Sequence, residues 1–263
     1  MAINSYQTLH YEFVKAGANV LLSSGQACVM YGIAAFSKDG DWIIEESDAS
    51  CRAVLSVLER KGADYRLGAP LDVRWLSKGW TSHFEFRDGD VRARVDFCSR
   101  PPRVPGIKDM WKNAIHKQGI DIVDAGTLIL IKQTRRVRDY SVIGAIAEVV
   151  GYNEKIPEIA LEYLQDYELL NKAVSEWPKE AKQSSREAVQ LLVARKNRKD
   201  VVSALAVEQD NKIQQDDMRI RRMIESSREF QEQFARLKTE WKMGACPLSG
   251  QHEQLMEIAS SLS

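Results

Sequence analysis

The first half of the chain alternates between apolar patterns of helical period and patterns of period two. Residues 6–17 (YQTLHYEFVKAG) repeat apolar positions at helical spacing and end on Gly17, which predicts a short amphipathic helix. The apolar run 18–24 (ANVLLSS) predicts a short buried strand. A helix is predicted over 25–36 and a strand over 39–46 (DGDWIIEE). Ser47 is placed to cap a helix over 48–62, whose last turn holds Arg60 and Lys61 ahead of Gly62. Strand texture returns at 71–76 (LDVRWL) and at 80–99, where Asp88-Gly89 reads as the two-residue turn of a hairpin. Three prolines interrupt the pattern at 100–106. Residues 120–123 (IDIV) predict one more strand, and a single helix is predicted from Asp124 to Gly151.

From about residue 155 strand signals vanish and helix formers dominate. Ile213, Ile220, Met223, Phe230, Phe234, Leu237 and Trp241 fall on a/d positions of one heptad register, which Asp216 and Ser227 interrupt. The pattern suits a helix packed on the rest of the protein or one that pairs with a partner. Residues 194–200 (ARKNRKD) form a small basic cluster of the kind that lines a solvated helix face. The tail after Gly244 is expected to be loosely held. The predicted organisation is therefore α+β, a mixed domain over 1–150 followed by an all-helical region over 151–263.

Composition narrows the function classes only slightly. Lys+Arg 37 against Asp+Glu 37 leaves no net charge, so only local patches could attract a nucleic acid. The four cysteines lie far apart without a CxxC pair, which speaks against a zinc or redox motif and for reduced thiols. No run of 18 apolar residues and no signal-like N-terminus occurs, so a cytoplasmic protein without a membrane segment is expected.

Candidate chemistry begins at residues 39–45. Alternation along a strand puts Asp39, Asp41 and Ile43 on one face and Gly40, Trp42 and Ile44 on the other. Two like charges side by side are unfavourable unless a cation joins them, and Mg²⁺ takes hard carboxylate and phosphate oxygens. Counting back from an Asp88-Gly89 turn pairs Phe86 with Val91, Phe84 with Ala93 and Ser82 with Val95 on an apolar face. Thr81 then pairs with Asp96 on the polar one. Asp96 can converge with Asp39 and Asp41 if the strands are neighbours; alone, it suits a salt bridge to Arg94 or Arg92 equally well. Upstream, Ser24 and Gly25 lie where a strand turns into a helix. Such a turn either binds an anion through free N–H groups or is a plain junction capped by Ser24.

Strand, Ser24-Gly25 turn, helix, then Ser37-x-Asp39-x-Asp41 and a later strand with Asp96 resembles the nucleotidyltransferase superfamily (polymerase-beta-like fold). Gly25, Ala27, Gly32, Ser37, Asp39 and Asp41 agree with the bacterial pattern. Ser24 replaces its first Gly, Ala35 its Arg and Gly40 its aliphatic residue. Residues 127–143 (TLILIKQTRRVRDYSVI) resemble the helix motif of abortive-infection-type nucleotidyltransferase toxins, with Lys132, Arg136, Arg138 and Asp139 on its charged positions. The resemblance covers about residues 18–145. It implies a nucleotidyltransferase-like mixed sheet with flanking helices. It also implies transfer of an NMP group from an NTP to an acceptor hydroxyl on RNA, protein or a small molecule, in a toxin–antitoxin or defence setting. Asp39, Asp41 and Asp96 would be catalytic and hold Mg²⁺ or Mn²⁺; Ser24, Gly25, Ser37, Lys132 and Arg136 would bind the nucleotide. An antitoxin or a second copy would meet the C-terminal helices. The alternative is an inactive fold kept as a binding module for nucleotide, RNA or a partner protein.

Overall fold

The computed structural model describes residues 5–243 and 246–261. Among them the chain is a mixed α+β protein with one seven-stranded sheet and fourteen α-helices. Helix α1 (Ser5–Lys15) leads to β1 (Val20–Ser23), α2 (Ser24–Met30) and β2 (Gly40–Ile44). Next come α3 (Asp48–Arg60), β3 (Asp64–Gly68), α4 (Val73–Leu76), and the hairpin β4 (Thr81–Asp88) and β5 (Val91–Cys98). Helix α5 (Ile107–Lys112) precedes a small hairpin, β6 (Ile115–Lys117) and β7 (Ile120–Ile122). The remainder is helical: α6 (Ala125–Lys132), α7 (Val137–Ile146) with a π-helical extension (Ala147–Tyr152), α8 (Pro157–Tyr163) and α9 (Tyr167–Glu176). It continues with α10 (Pro178–Gln183), α11 (Glu187–Val193), α12 (Arg198–Ser226), α13 (Arg228–Met243) and α14 (Leu248–Ser261).

The chain forms two compact units, one running to Asp124 and resuming at Ile224, the other spanning Ala125–Met223. This corrects the expected boundary at residue 150 and the expected separate region over 151–263. The physical reason is α13 and α14: Phe230, Phe234, Leu248, Leu255 and Ala259 are buried in the same apolar core as the sheet. The tail expected to be loose is held as well. Gln251 accepts from Tyr65 N at 2.9 Å and donates to Asp64 Oδ1 at 2.7 Å. Of the heptad residues, Phe230 and Phe234 belong to this core, with Leu237 and Trp241 packed against it. Ser227, one of the interrupting residues, is where α12 ends and α13 begins.

In the first unit the sheet order is β3-β4-β5-β2-β1-β7-β6. β1 pairs antiparallel with β2, and β2 runs parallel to β5. Trp42 anchors the apolar face, stacked on Phe97 at 5.6 Å and edge-on to Phe13 of α1 at 5.3 Å. Ser47 caps α3 as expected, its side chain accepting from Ser50 N at 3.1 Å. Two expectations are corrected. LDVRWL folds as α4, because Asp72 accepts from Arg74 N and starts a helical turn in spite of the β-prone residues. The hairpin turns on Gly89-Asp90, with Gly89 at φ +62 in the first central position of the turn. Asp88 thus pairs with Val91, and the register lies two residues from the expected one. A shift of two leaves every side chain on its predicted face. It also puts His83, not Thr81, opposite Asp96.

The second unit has its own core around Leu161, Leu170, Val189, Leu192 and Val201. The single helix expected from Asp124 to Gly151 is broken between α6 and α7. Thr134 Oγ1 accepts from Arg136 N, and buried Asp216 accepts from Arg135 N at 2.9 Å, so both N–H groups find partners outside a helical ladder. The cluster at 194–200 is exposed, and its Arg198 pairs with Glu168 at 2.8 Å. No helix among the described residues is long and apolar enough to cross a membrane.

Candidate active site

Strand pairing lines up one polar row across the sheet. Ser23 of β1 faces Asp41 of β2, Asp41 faces Asp96 of β5, and Asp96 faces His83 of β4. Directly paired residues project to the same side, so Asp41 and Asp96 stand next to each other on one face. Asp39 immediately precedes β2, and among the described residues its carboxylate has no ion-pair partner. All three carboxylates act on one phenol, that of Tyr6. Burial raises its pKa first, and Asp39, Asp41 and Asp96 raise it further. The Tyr6 hydroxyl donates to Lys38 O at 2.5 Å, tying α1 to the loop that carries Asp39. Sequence reasoning missed Tyr6, although it lies on a correctly predicted helix.

The upstream turn is built differently from expectation. The N-cap of α2 is Ser23, not Ser24, and Ser23 Oγ donates to Asp41 O at 3.2 Å. Ser24 takes φ +49, the left-handed region where glycine is least strained. The room left by Gly25 is filled by a neighbouring side chain: an added Cβ there would collide with Ser37 Oγ. Ser37 Oγ in turn donates to Asp39 O at 3.1 Å, and Gln26 Nε2 donates to Ser37 O at 3.1 Å. Ser24, Gly25, Ser37 and the Asp39–Asp41 strand are thus brought together.

Asp96 has partners that sequence reasoning missed. Arg66 Nη2 lies 3.1 Å from its Oδ1. His83 Nδ1 lies 2.8 Å from the same oxygen, at ion-pair distance but off the line of a good hydrogen bond. His83 Nε2 meets Thr81 Oγ1 at 2.8 Å. Burial alone would raise the Asp96 carboxyl; His83 and Arg66 outweigh it and hold the pKa below the usual carboxylate value. The salt bridge to Arg94 or Arg92 weighed from the sequence goes to Arg66 instead, and Arg92 pairs with Glu85. Cys98, two residues beyond Asp96, has its thiol pushed up to about 12 by burial and by Asp41 and Asp96.

The two basic site candidates lie in the second unit. Lys132 is buried at the end of α6. Arg136 is the N-cap of α7, and its Nε donates to the buried Asp139 at 2.8 Å, so it serves a local structural contact. The charged positions of the expected motif are therefore split over two helices rather than lying along one.

Among the described residues no three His, Cys, Asp or Glu side chains stand close enough to close a metal site by themselves. The donor set still fits Mg²⁺, which commonly takes one or two carboxylates and completes its shell with phosphate oxygens and water. Asp39 and Asp41 would supply those carboxylates.

Behind this site, His10 of α1 is buried and accepts from Trp42 Nε1 at its Nδ1, 3.3 Å away. Burial, the largest cause, lowers its pKa to about 4. The unfolded chain therefore takes up a proton first, and stability falls as pH drops from about 6.5 towards 4. Thermal melts across that range are expected to show a steeper loss for the wild type than for His10→Gln; parallel curves would contradict the assignment.

No family model matches the chain, and no curated protein matches it. Among solved structures, JHP933 from Helicobacter pylori is similar at 14% identity and a TM-score of 0.37, over 84% of this chain and 98% of that one.

Proposed function

We propose that the first unit carries a nucleotidyltransferase-type fold and site, which transfers an NMP group from an NTP to an acceptor hydroxyl. The observation that carries this reading is the parallel pairing of β2 with β5. It sets Asp41 directly opposite Asp96, with Asp39 one alternation away and the Ser24-Gly25 turn at the adjoining strand end. Asp39 and Asp41 would hold the divalent cation, with Asp96 facing it from β5, and when bound it would supply charge neutralisation for the triphosphate. Ser24, Gly25 and Ser37 shape the turn beside it. Asp96 stays ionised and takes the proton of the attacking hydroxyl, and pyrophosphate leaves in line. The proteins it resembles suggest a toxin or defence role, with RNA or protein among the acceptors.

One observation favours a second reading, an inactive module that binds nucleotide or a macromolecular partner. The family Arg is replaced by exposed Ala35, and Arg136 is committed to Asp139, so cations for the phosphates are few. One experiment separates the two. Each labelled NTP is incubated with the protein in a cell lysate with Mg²⁺, and pyrophosphate release and label transfer are followed. Release that stops with EDTA supports the transferase. Thermal stabilisation by Mg²⁺–NTP with no release supports the module, and neither response rejects both.

A further inference from the structure

Strand β3 pairs with β4 in antiparallel register, except for a bulge between Tyr65 and Leu67. Tyr65 faces Phe84 and Leu67 faces His83, so Arg66 is the extra residue with no partner in the ladder. A bulge re-aims the residue it carries. Here it sends the Arg66 side chain to the Asp96 carboxylate on β5, past the intervening strand β4. From α13, Lys238 Nζ donates to Arg66 O at 2.8 Å, which fixes the bulged backbone from outside the sheet. His83 approaches from β4 and is itself steadied by Thr81.

Both approaches fall on one oxygen. Arg66 and His83 address Asp96 Oδ1, and no protein group is bonded to Oδ2 among the described residues. A carboxylate hydrogen-bonded at one oxygen by a guanidinium, with an imidazole nitrogen 2.8 Å from the same oxygen, is restricted in rotamer and presents its other oxygen away from both. The arrangement is not explained by stability. Arg66 Nε is buried without a hydrogen-bond partner, a loss of about 1–3 kcal/mol for such a group, which an apolar side chain would avoid. The ion pair it makes is mostly buried, 22% and 23% exposed for the two side chains, so the desolvation of both charges offsets much of its Coulombic gain.

We infer that Arg66 and His83 are positioning residues, which hold Asp96 by Oδ1 so that Oδ2 is presented to the cation and acceptor hydroxyl beside Asp41. This rests on the transferase reading of the site. Groups that orient the carboxylates of a metal site typically change metal affinity about 10–100-fold when removed.

The test is Mn²⁺ binding to the full chain, read by electron paramagnetic resonance, together with NTP turnover and thermal melting. Arg66→Met is expected to weaken Mn²⁺ about 10–100-fold and to lower kcat while leaving KM for NTP near the wild-type value. Its melting temperature should stay within a few degrees. Arg66→Lys, which keeps the cation, should recover part of both losses, and His83→Ala should weaken Mn²⁺ in the same direction. Unchanged Mn²⁺ affinity in both Arg66→Met and His83→Ala overturns the inference, and so does a loss that merely tracks a fall in melting temperature. If wild type binds Mn²⁺ yet releases no pyrophosphate, the transferase reading fails while the affinity comparison still decides the positioning. If wild type binds no Mn²⁺, both fail.

Discussion

Asp41→Asn is expected to slow Mg²⁺-dependent pyrophosphate release by about 10²–10³-fold, with the fold intact. Asn has the shape of Asp and leaves β2 its backbone ladder to β1 and β5, so circular dichroism and melting temperature should change little. What would be lost is one of the two negative charges proposed to attract the cation. Phosphoryl transfer asks little of the protein beyond positioning and charge neutralisation, so a missing carboxylate falls on the barrier itself. Asp39→Asn should behave alike, and the double variant should be little worse than either alone, because the two carboxylates act on one ion. Single-turnover rates for the three variants with saturating Mg²⁺–NTP are the measurement. Wild-type rates in Asp41→Asn would remove this site from the reaction altogether.

The placement of these carboxylates was legible because strands alternate with period two. That rule alone put Asp39 and Asp41 on one face, and Asp96 on the polar face of its own strand. The rule survived a wrong turn position: starting the hairpin turn at Gly89 instead of Asp88 moved the register by two, which changes partners and not faces. The partner was the part that could not be read, so Thr81 rather than His83 appeared opposite Asp96. Arg66 was illegible for a different reason. DYRLG has no clean alternation, and a bulge, which no local pattern announces, decides where its arginine points. The break between α6 and α7 depends on Asp216, 81 residues further along than the Arg135 N–H it satisfies, so a helix-rich stretch reads as one helix. The α+β class and the helical texture after residue 155 came from composition and period. The return of α13 and α14 to the sheet core came from contacts that lie far apart in sequence.

Gly40→Val, which restores the aliphatic residue common between such aspartates, is expected to destabilise the protein by about 3 kcal/mol or more. A Cβ at this position would lie 2.5 Å from the Trp42 ring and 2.6 Å from Tyr6. The Trp42 ring has no room to yield, and the Tyr6 ring is held at its hydroxyl. Trp42 is fully buried between Phe13 and Phe97, and Tyr6 is tied through its hydroxyl to Lys38 O. The glycine at residue 40 is therefore matched by α1, whose Tyr6 ring occupies volume that a side chain there would need. Tyr6→Ala combined with Gly40→Val should recover part of the loss, since one of the two collisions is removed, whereas Tyr6→Ala alone should destabilise by leaving a cavity beside Trp42. Denaturant melts of the four chains measure this coupling. Additive losses would mean that Tyr6 and Gly40 are independent. A favourable coupling of about 1 kcal/mol or more would mean that the glycine between the aspartates is half of a packing exchange, with both carboxylates kept in place.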